Sequence, residues 1–120
     1  MTETLGGRPA LFDRIPDELV GSEWELMKRT QFGETLIPSK WKALIGLAAA
    51  AAGHSRHGIV YHTEAARLEG ASEAEMAEAL HYAGLTSGWG VMLDGLSIGA
   101  DDFKDEVRAM VAFLAAERGM

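Results

Sequence analysis

The chain has 120 residues, a formal net charge of −7 and no cysteine. This length is typical of one domain, and the lack of cysteine excludes disulfides, thiolate metal ligands and any cysteine nucleophile from this chain. Its acidic balance, with basic residues scattered rather than clustered, argues against nucleic-acid and anionic-membrane partners. The first residues have no basic start followed by an apolar stretch, so we expect no signal peptide and a cytoplasmic protein.

Apolar residues recur at helical spacing over most of the chain, which predicts an all-α fold of five to six helices. Residues 1–10 have no periodic pattern, so we expect a flexible N-terminal arm before a single helical domain over residues 11–120. A first helix is predicted from about residue 16 to 31. A second begins at Pro38, where a first helical turn tolerates proline, and ends at Gly53.

Local capping signals define the helices of the second half. Ser55 is a suitable N-cap for a helix over residues 56–69, with Gly70 as its C-terminal stop. Ser72 and Glu75 form a capping-box pattern that predicts a helix from residue 73 into the 80s. Glycines then interrupt an apolar stretch, and we expect helix there with a break near residues 87–90. A last helix is predicted from Asp101 or Asp102.

Three of the four histidines lie within nine residues, at positions 54, 57 and 62. Imidazole titrates near neutrality, so this cluster is compatible with proton transfer, a metal site or a pH-sensitive contact. On an ideal helix His57 points about 140° away from His62, and the spacing matches no strong zinc pattern. We therefore expect no cofactor, and a metal site that pairs His54 with His62 stays open as an alternative.

Two segments resemble the alkylhydroperoxidase D and carboxymuconolactone decarboxylase superfamily. They are IPSKWKALIGLA, residues 37–48, and HTEAARLEGASEAEMAEAL, residues 62–80. The resemblance implies a helical bundle that is completed by neighbouring subunits, as a trimer or a hexamer. It also implies a small pocket near the start of the helix that carries His62.

The resemblance also indicates which chemistry is missing. When the segments are aligned on His62, the two cysteines of the peroxidase branch correspond to Ser55 and Gly58, and a glutamate of the preceding helix corresponds to Ala43. A serine forms no disulfide, so we do not expect thiol peroxidase activity from this chain. The decarboxylase branch also lacks the cysteine pair and keeps the histidine, but Ala43 replaces a glutamate that is common there too, so the sequence departs from both branches.

We therefore predict acid–base chemistry on a small carbonyl or lactone compound, with His62 transferring the proton. The predicted catalytic residues are His62, Ser55 and Tyr61, and the predicted substrate-binding residues are His54, His57, Gly58 and Trp89. One alternative is a catalytically silent oligomer that binds a ligand or a partner protein, and another is a histidine metal site. The sequence leaves open which of these three classes is correct.

Overall fold

The computed structural model describes all 120 residues and contains helices but no strands, which confirms the all-α prediction. The α-helices are α1 (Thr2–Leu5), α2 (Asp17–Met27), α3 (Ser39–Ala52), α4 (Arg56–Leu68), α5 (Glu73–Gly95) and α6 (Ala100–Glu117). A 3₁₀ turn, Ala10–Asp13, precedes α2, and a π-helical turn, Lys28–Phe32, follows it directly. None of the helices has the length and apolar character needed to cross a lipid bilayer.

One predicted feature, the break near residues 87–90, is wrong because α5 runs without interruption from Glu73 to Gly95. A glycine inside a helix costs only about 1 kcal/mol relative to alanine, so Gly88 and Gly90 weaken α5 without ending it. At the N-terminus, the short helix α1 lies inside the segment predicted to be an arm. Flexibility of that arm, and a single domain over residues 11–120, stay predictions.

The chain divides into two compact units, and the boundary between them falls inside α5. The N-terminal unit comprises Met1–Leu80 and the C-terminal unit comprises His81–Met120. The N-terminal unit contains α1 to α4 and the first residues of α5, whereas the C-terminal unit contains the rest of α5 and α6.

The core of the N-terminal unit is built on the antiparallel pair α3 and α4. Its buried residues are Ala43 and Leu47 of α3, Ala66 of α4, and Ala71 and Met76 after it. Most of these side chains are small, which allows the two helix backbones to approach closely. Removing the side chain of Leu47, which is only 1% exposed, would cost about 2–5 kcal/mol.

The connection between α3 and α4 is a Schellman turn with an unusual residue at its left-handed position. The His54 N–H donates to the Ala51 carbonyl at 3.1 Å, and the Ser55 N–H donates to the Ala50 carbonyl at 2.9 Å. This places His54 at φ 56°, in the left-handed region that usually holds glycine. Gly70 occupies the same position after α4, with φ 87°.

Helix α5 begins at the predicted capping box, which the structure confirms. The Ser72 N–H donates to Glu75 Oε1 at 2.9 Å, and the Glu75 N–H donates to Ser72 Oγ at 3.0 Å. The other carboxylate oxygen of Glu75 lies 2.9 Å from Lys40 Nζ. This ion pair connects the start of α5 to the first turn of α3.

The C-terminal unit leaves most of its large apolar side chains exposed. Five of them recur at alternating spacings of three and four residues, four on α5 and one directly after its end, and we call them the α5 stripe: Tyr82, Leu85, Trp89, Met92 and Leu96, each at least 49% exposed. Helix α6 buries none of its residues, although Phe103, Met110 and Leu114 lie at helical spacing. An exposed apolar stripe of this kind is typical of a surface that packs against another helix.

Candidate functional site

His62 lies in the wall of a cavity of about 230 Å³ within the N-terminal unit. The cavity is formed between the π-helical turn, α3 and α4. Its lining residues are Thr30, Gln31, Ser39, Lys42, Ala43, Ile45, Gly46, His62, Ala65 and Glu69. Most of this lining comes from α3 and α4, and the π-helical turn contributes Thr30 and Gln31.

The cavity lies beside the middle and C-terminal half of α4, whereas a pocket near the start of that helix was predicted. At the first turn of α4 the two helices lie close together, because a Cβ atom on Gly58 would lie only 2.8 Å from the Ala50 Cβ atom. The cavity that His62 lines begins two turns further along α4, beside the side chains of Ala65 and Glu69.

Two neighbours hold the imidazole ring of His62. On one side the ring lies against the backbone of Gly46 in α3, where a Cβ atom would come within 2.3 Å of both Nδ1 and Cε1. On the other side it makes an edge-to-face contact with Tyr61, with ring centroids 5.0 Å apart. The ring is therefore fixed by packing rather than by a hydrogen bond.

The burial of His62 favours the neutral imidazole. Nδ1 is buried without a hydrogen-bond partner, and burial lowers the pKa of His62 below its usual value. An imidazolium ion needs acceptors for two N–H groups, and here the Nδ1 group has none. Only Nε2 is therefore available for exchanging a proton with a molecule in the cavity.

The hydroxyl group of Tyr61 is also buried without a partner. Burial raises its pKa above the usual value, so Tyr61 stays protonated at neutral pH. The ring contacts His62, but Tyr61 is not among the residues that line the cavity. Its observed contact therefore orients the imidazole, and its predicted catalytic role stays a prediction.

Lys42 is a polar residue of the cavity that the sequence analysis missed. Its ammonium group donates to the Thr30 carbonyl at 2.9 Å and to the Gly33 carbonyl at 3.2 Å. An ammonium group has three N–H donors, so one is left for a ligand. No local signal in the sequence identifies Lys42, because its contacts depend on how α3 is aligned with the π-helical turn. Gln31 and Glu69 were missed as well.

Ser55 and Gly58, the positions of the absent cysteine pair, act together at the start of α4. The Ser55 Oγ atom accepts a hydrogen bond from the Gly58 N–H at 3.0 Å, which confirms Ser55 as the N-cap. The absence of a side chain at Gly58 permits the close approach of Ala50. Neither residue lines the His62 cavity, and their predicted roles toward substrate stay predictions.

The remaining predicted residues lie outside the cavity lining. His54 is exposed in the turn between α3 and α4, and His57 is exposed in the first turn of α4. Trp89 lies on the α5 stripe of the C-terminal unit and is 62% exposed. The structure contains no group of three or more histidine, aspartate and glutamate side chains that could hold a metal ion.

Two further depressions occur in the N-terminal unit. One of about 420 Å³ shares Ser39 and Glu69 with the His62 cavity. The other, about 1060 Å³, is an open groove along α2 that includes Trp24 and Arg29 and contains no histidine. The smaller His62 cavity is the better candidate, because it combines a titratable group with polar groups directed at the same space.

One protein-family model matches most of the chain. Residues 21–101 match the model of the carboxymuconolactone decarboxylase family. The matched segment includes α3, α4 and α5 and all residues of the His62 cavity. The chain therefore belongs to the carboxymuconolactone decarboxylase family. Searches of curated proteins and of solved structures found no match.

Proposed function

We propose that this chain is a cysteine-free member of the carboxymuconolactone decarboxylase family that performs acid–base chemistry on a small carbonyl or lactone compound. His62 is the proton-transferring residue in this proposal. The observation that carries it is the cavity of about 230 Å³, into which a neutral imidazole and several polar side chains are directed. The absence of cysteine makes thiol-dependent peroxide reduction an unexpected activity for this chain.

The proposed chemistry follows from the properties of the neutral imidazole. A neutral imidazole can accept a proton from a carbon next to a carbonyl group and can return it at a neighbouring position. When the substrate loses carbon dioxide, the C–C bond to its carboxylate breaks and the electron pair of that bond stays on the substrate. The imidazole, having taken a proton from water, delivers it to the carbon that carries the pair. The free N–H of Lys42 supplies a positive partner for the carbonyl or carboxylate oxygen on which charge develops. Tyr61 supports the reaction by orienting the imidazole through its ring contact.

Substitution of His62 tests the proposal. The variant His62→Gln keeps a polar side chain of similar size but transfers no proton at neutral pH. We expect it to lower kcat at least 100-fold on any small lactone or keto acid that the wild type converts. Carboxymuconolactone, taken from the family description, is the first compound to assay, by the release of carbon dioxide. His81→Gln is the matched control, because His81 is an exposed histidine of α5 that has no predicted role toward substrate.

Two results would contradict the proposal. One is a wild-type protein that converts none of the lactones and keto acids while still binding one of them in the His62 cavity. That result would support the alternative of a catalytically silent binding protein. The other is a His62→Gln variant that retains wild-type turnover, which would place the chemistry at another residue.

We further propose that the chain functions as a homo-oligomer, either a trimer or a hexamer, in the cytoplasm. The support for oligomerisation is the α5 stripe, because five large apolar side chains at coiled-coil spacing are unfavourable in water. A second copy of the same chain supplies a matching surface without any other partner. The predicted role of Trp89 toward substrate would then depend on which surfaces the assembly leaves open.

A further inference from the structure

We propose that Gly46 is the residue that positions His62, because the lack of a side chain at residue 46 allows the imidazole to lie flat on α3. The functional consequence rests on the proposed role of His62. The structural part is independent of that role and can be tested without a substrate. Gly46 is a positioning residue in this proposal and takes no part in the proton transfer.

The contact is made through the face of the ring. A Cβ atom built on Gly46 would lie 2.3 Å from Nδ1, 2.3 Å from Cε1 and 2.8 Å from Cγ of His62. With the bond lengths of imidazole, these three distances put the atom above the ring plane, over the bond between Nδ1 and Cε1. A point in the plane of the ring could not be that close to all three atoms.

The ring could not keep its present position beside an added side chain at residue 46. Tyr61 contacts it on another side, and Nδ1 is already buried. The helices are also held together one turn away, where Ala50 lies against Gly58. A side chain at residue 46 would therefore turn the imidazole out of its position, because separating α3 from α4 would open the core around Leu47 and Ala66.

Gly58 provides a comparison within the same helix pair. A Cβ atom on Gly58 would meet the Ala50 Cβ atom at 2.8 Å and Ser55 Oγ at 3.0 Å, but no atom of His62 is among its nearest contacts. Both glycines lie at the crossing of α3 and α4. Gly58 sets the distance between the helices, whereas Gly46 also determines where the imidazole lies.

A double-mutant cycle measures the contact directly. We compare the wild type with Gly46→Ala, His62→Ala and the variant that carries both changes. Gly46→Ala is expected to lower the Tm of the wild type. In the His62→Ala background the same change is expected to raise the Tm by about 3–5 °C, because alanine favours helix and the space of the ring is empty.

The sign of the Gly46→Ala effect decides the outcome of the cycle. An effect of equal sign and size in both backgrounds would overturn the proposal, because residues 46 and 62 would then be independent. If the Gly46→Ala variant does not fold but the variant with both changes does, this result also shows that residues 46 and 62 are coupled.

A titration of His62 by NMR, with ¹⁵N-labelled histidine, reports the position of the ring. Gly46→Ala is expected to move the His62 titration toward that of a solvated histidine, since the ring leaves its buried position. Gly58→Ala, the matched control, is expected to lower the Tm but to leave the His62 titration unchanged. An unchanged titration in folded Gly46→Ala would overturn the proposal. These measurements need no substrate, so they test the contact between Gly46 and His62 even if His62→Gln retains turnover.

Discussion

The imidazole of His62 is buried at one nitrogen and open at the other, and this asymmetry makes fold stability depend on pH. Burial lowers the pKa of His62 in the folded chain, whereas the unfolded chain titrates near the usual value of 6.5. Above pH 6.5 the imidazole of His62 is neutral in both the folded and the unfolded chain, so it adds no pH dependence to the free energy of unfolding. Below it the unfolded chain binds the proton first, so acidification favours unfolding.

We therefore expect the free energy of unfolding to fall between about pH 7 and pH 5. His62→Gln should remove much of this slope. Urea unfolding of the wild type and of His62→Gln, at a fixed protein concentration and at several pH values, measures the effect. Glu75 adds little to the slope above pH 5, because Ser72 and Lys40 lower the pKa of its carboxyl group below the usual value, so the stability from that carboxylate is lost only in more acidic solution. Equal slopes in wild type and His62→Gln would contradict the expectation.

The sequence could identify His62 as a candidate, because histidine is chemically distinctive and the family segments align on it. It could not identify Gly46 or Lys42 as its neighbours. Their contacts with His62 and with the π-helical turn depend on how α3 and α4 are aligned, and that alignment results from packing. For the same reason the sequence could not separate the capping role of Ser55 from a role in the pocket.

At the scale of the helices, the ends were predicted well because each is encoded by a few adjacent residues. Ser55 caps α4, and the pair Ser72 and Glu75 caps α5. The π-helical turn after α2 was not predicted, because no local signal separates it from a regular helix. The uninterrupted course of α5 was missed because its glycines were given too much weight.

A substitution of His54, in the turn between α3 and α4, tests whether the imidazole ring of this residue makes a stabilising contact or whether the residue only occupies the left-handed backbone position. A left-handed conformation costs a non-glycine residue about 1 kcal/mol, so His54→Gly should stabilise the fold by roughly 0.5–1 kcal/mol. Gly70→Ala, at the equivalent position after α4, should destabilise it by about the same amount. Thermal unfolding measures both effects. If His54→Gly lowers stability, the ring makes a contact that offsets the strain.

The same variant separates the two interpretations of His54 in function. If His54 binds substrate as predicted, His54→Gly should raise KM while the fold becomes more stable. If the residue serves only the turn, KM should stay unchanged. An exposed position with a positive φ is compatible with either role.

At the scale of the whole molecule, the family and the helical class followed from the sequence, but the exposure of the α5 stripe needed the structure. The stripe predicts that Met92→Lys disrupts the assembly, because it places a charge in the proposed interface. Val91→Lys is the matched control, since Val91 is 74% exposed and lies off the stripe. Light scattering coupled to gel filtration measures the mass of each variant. A Met92→Lys protein with the wild-type mass would contradict the proposed interface.

The contact between Gly46 and His62 also limits the order in which residues 46 and 62 can be substituted during evolution. Alanine is the better helix former at residue 46, so ordinary selection for stability favours replacing the glycine. That replacement is obstructed for as long as the imidazole lies on α3. A lineage that loses the histidine first frees position 46 to change, and an alanine fixed there then makes regaining the histidine costly. Loss of the histidine therefore tends to become permanent once residue 46 has changed to alanine.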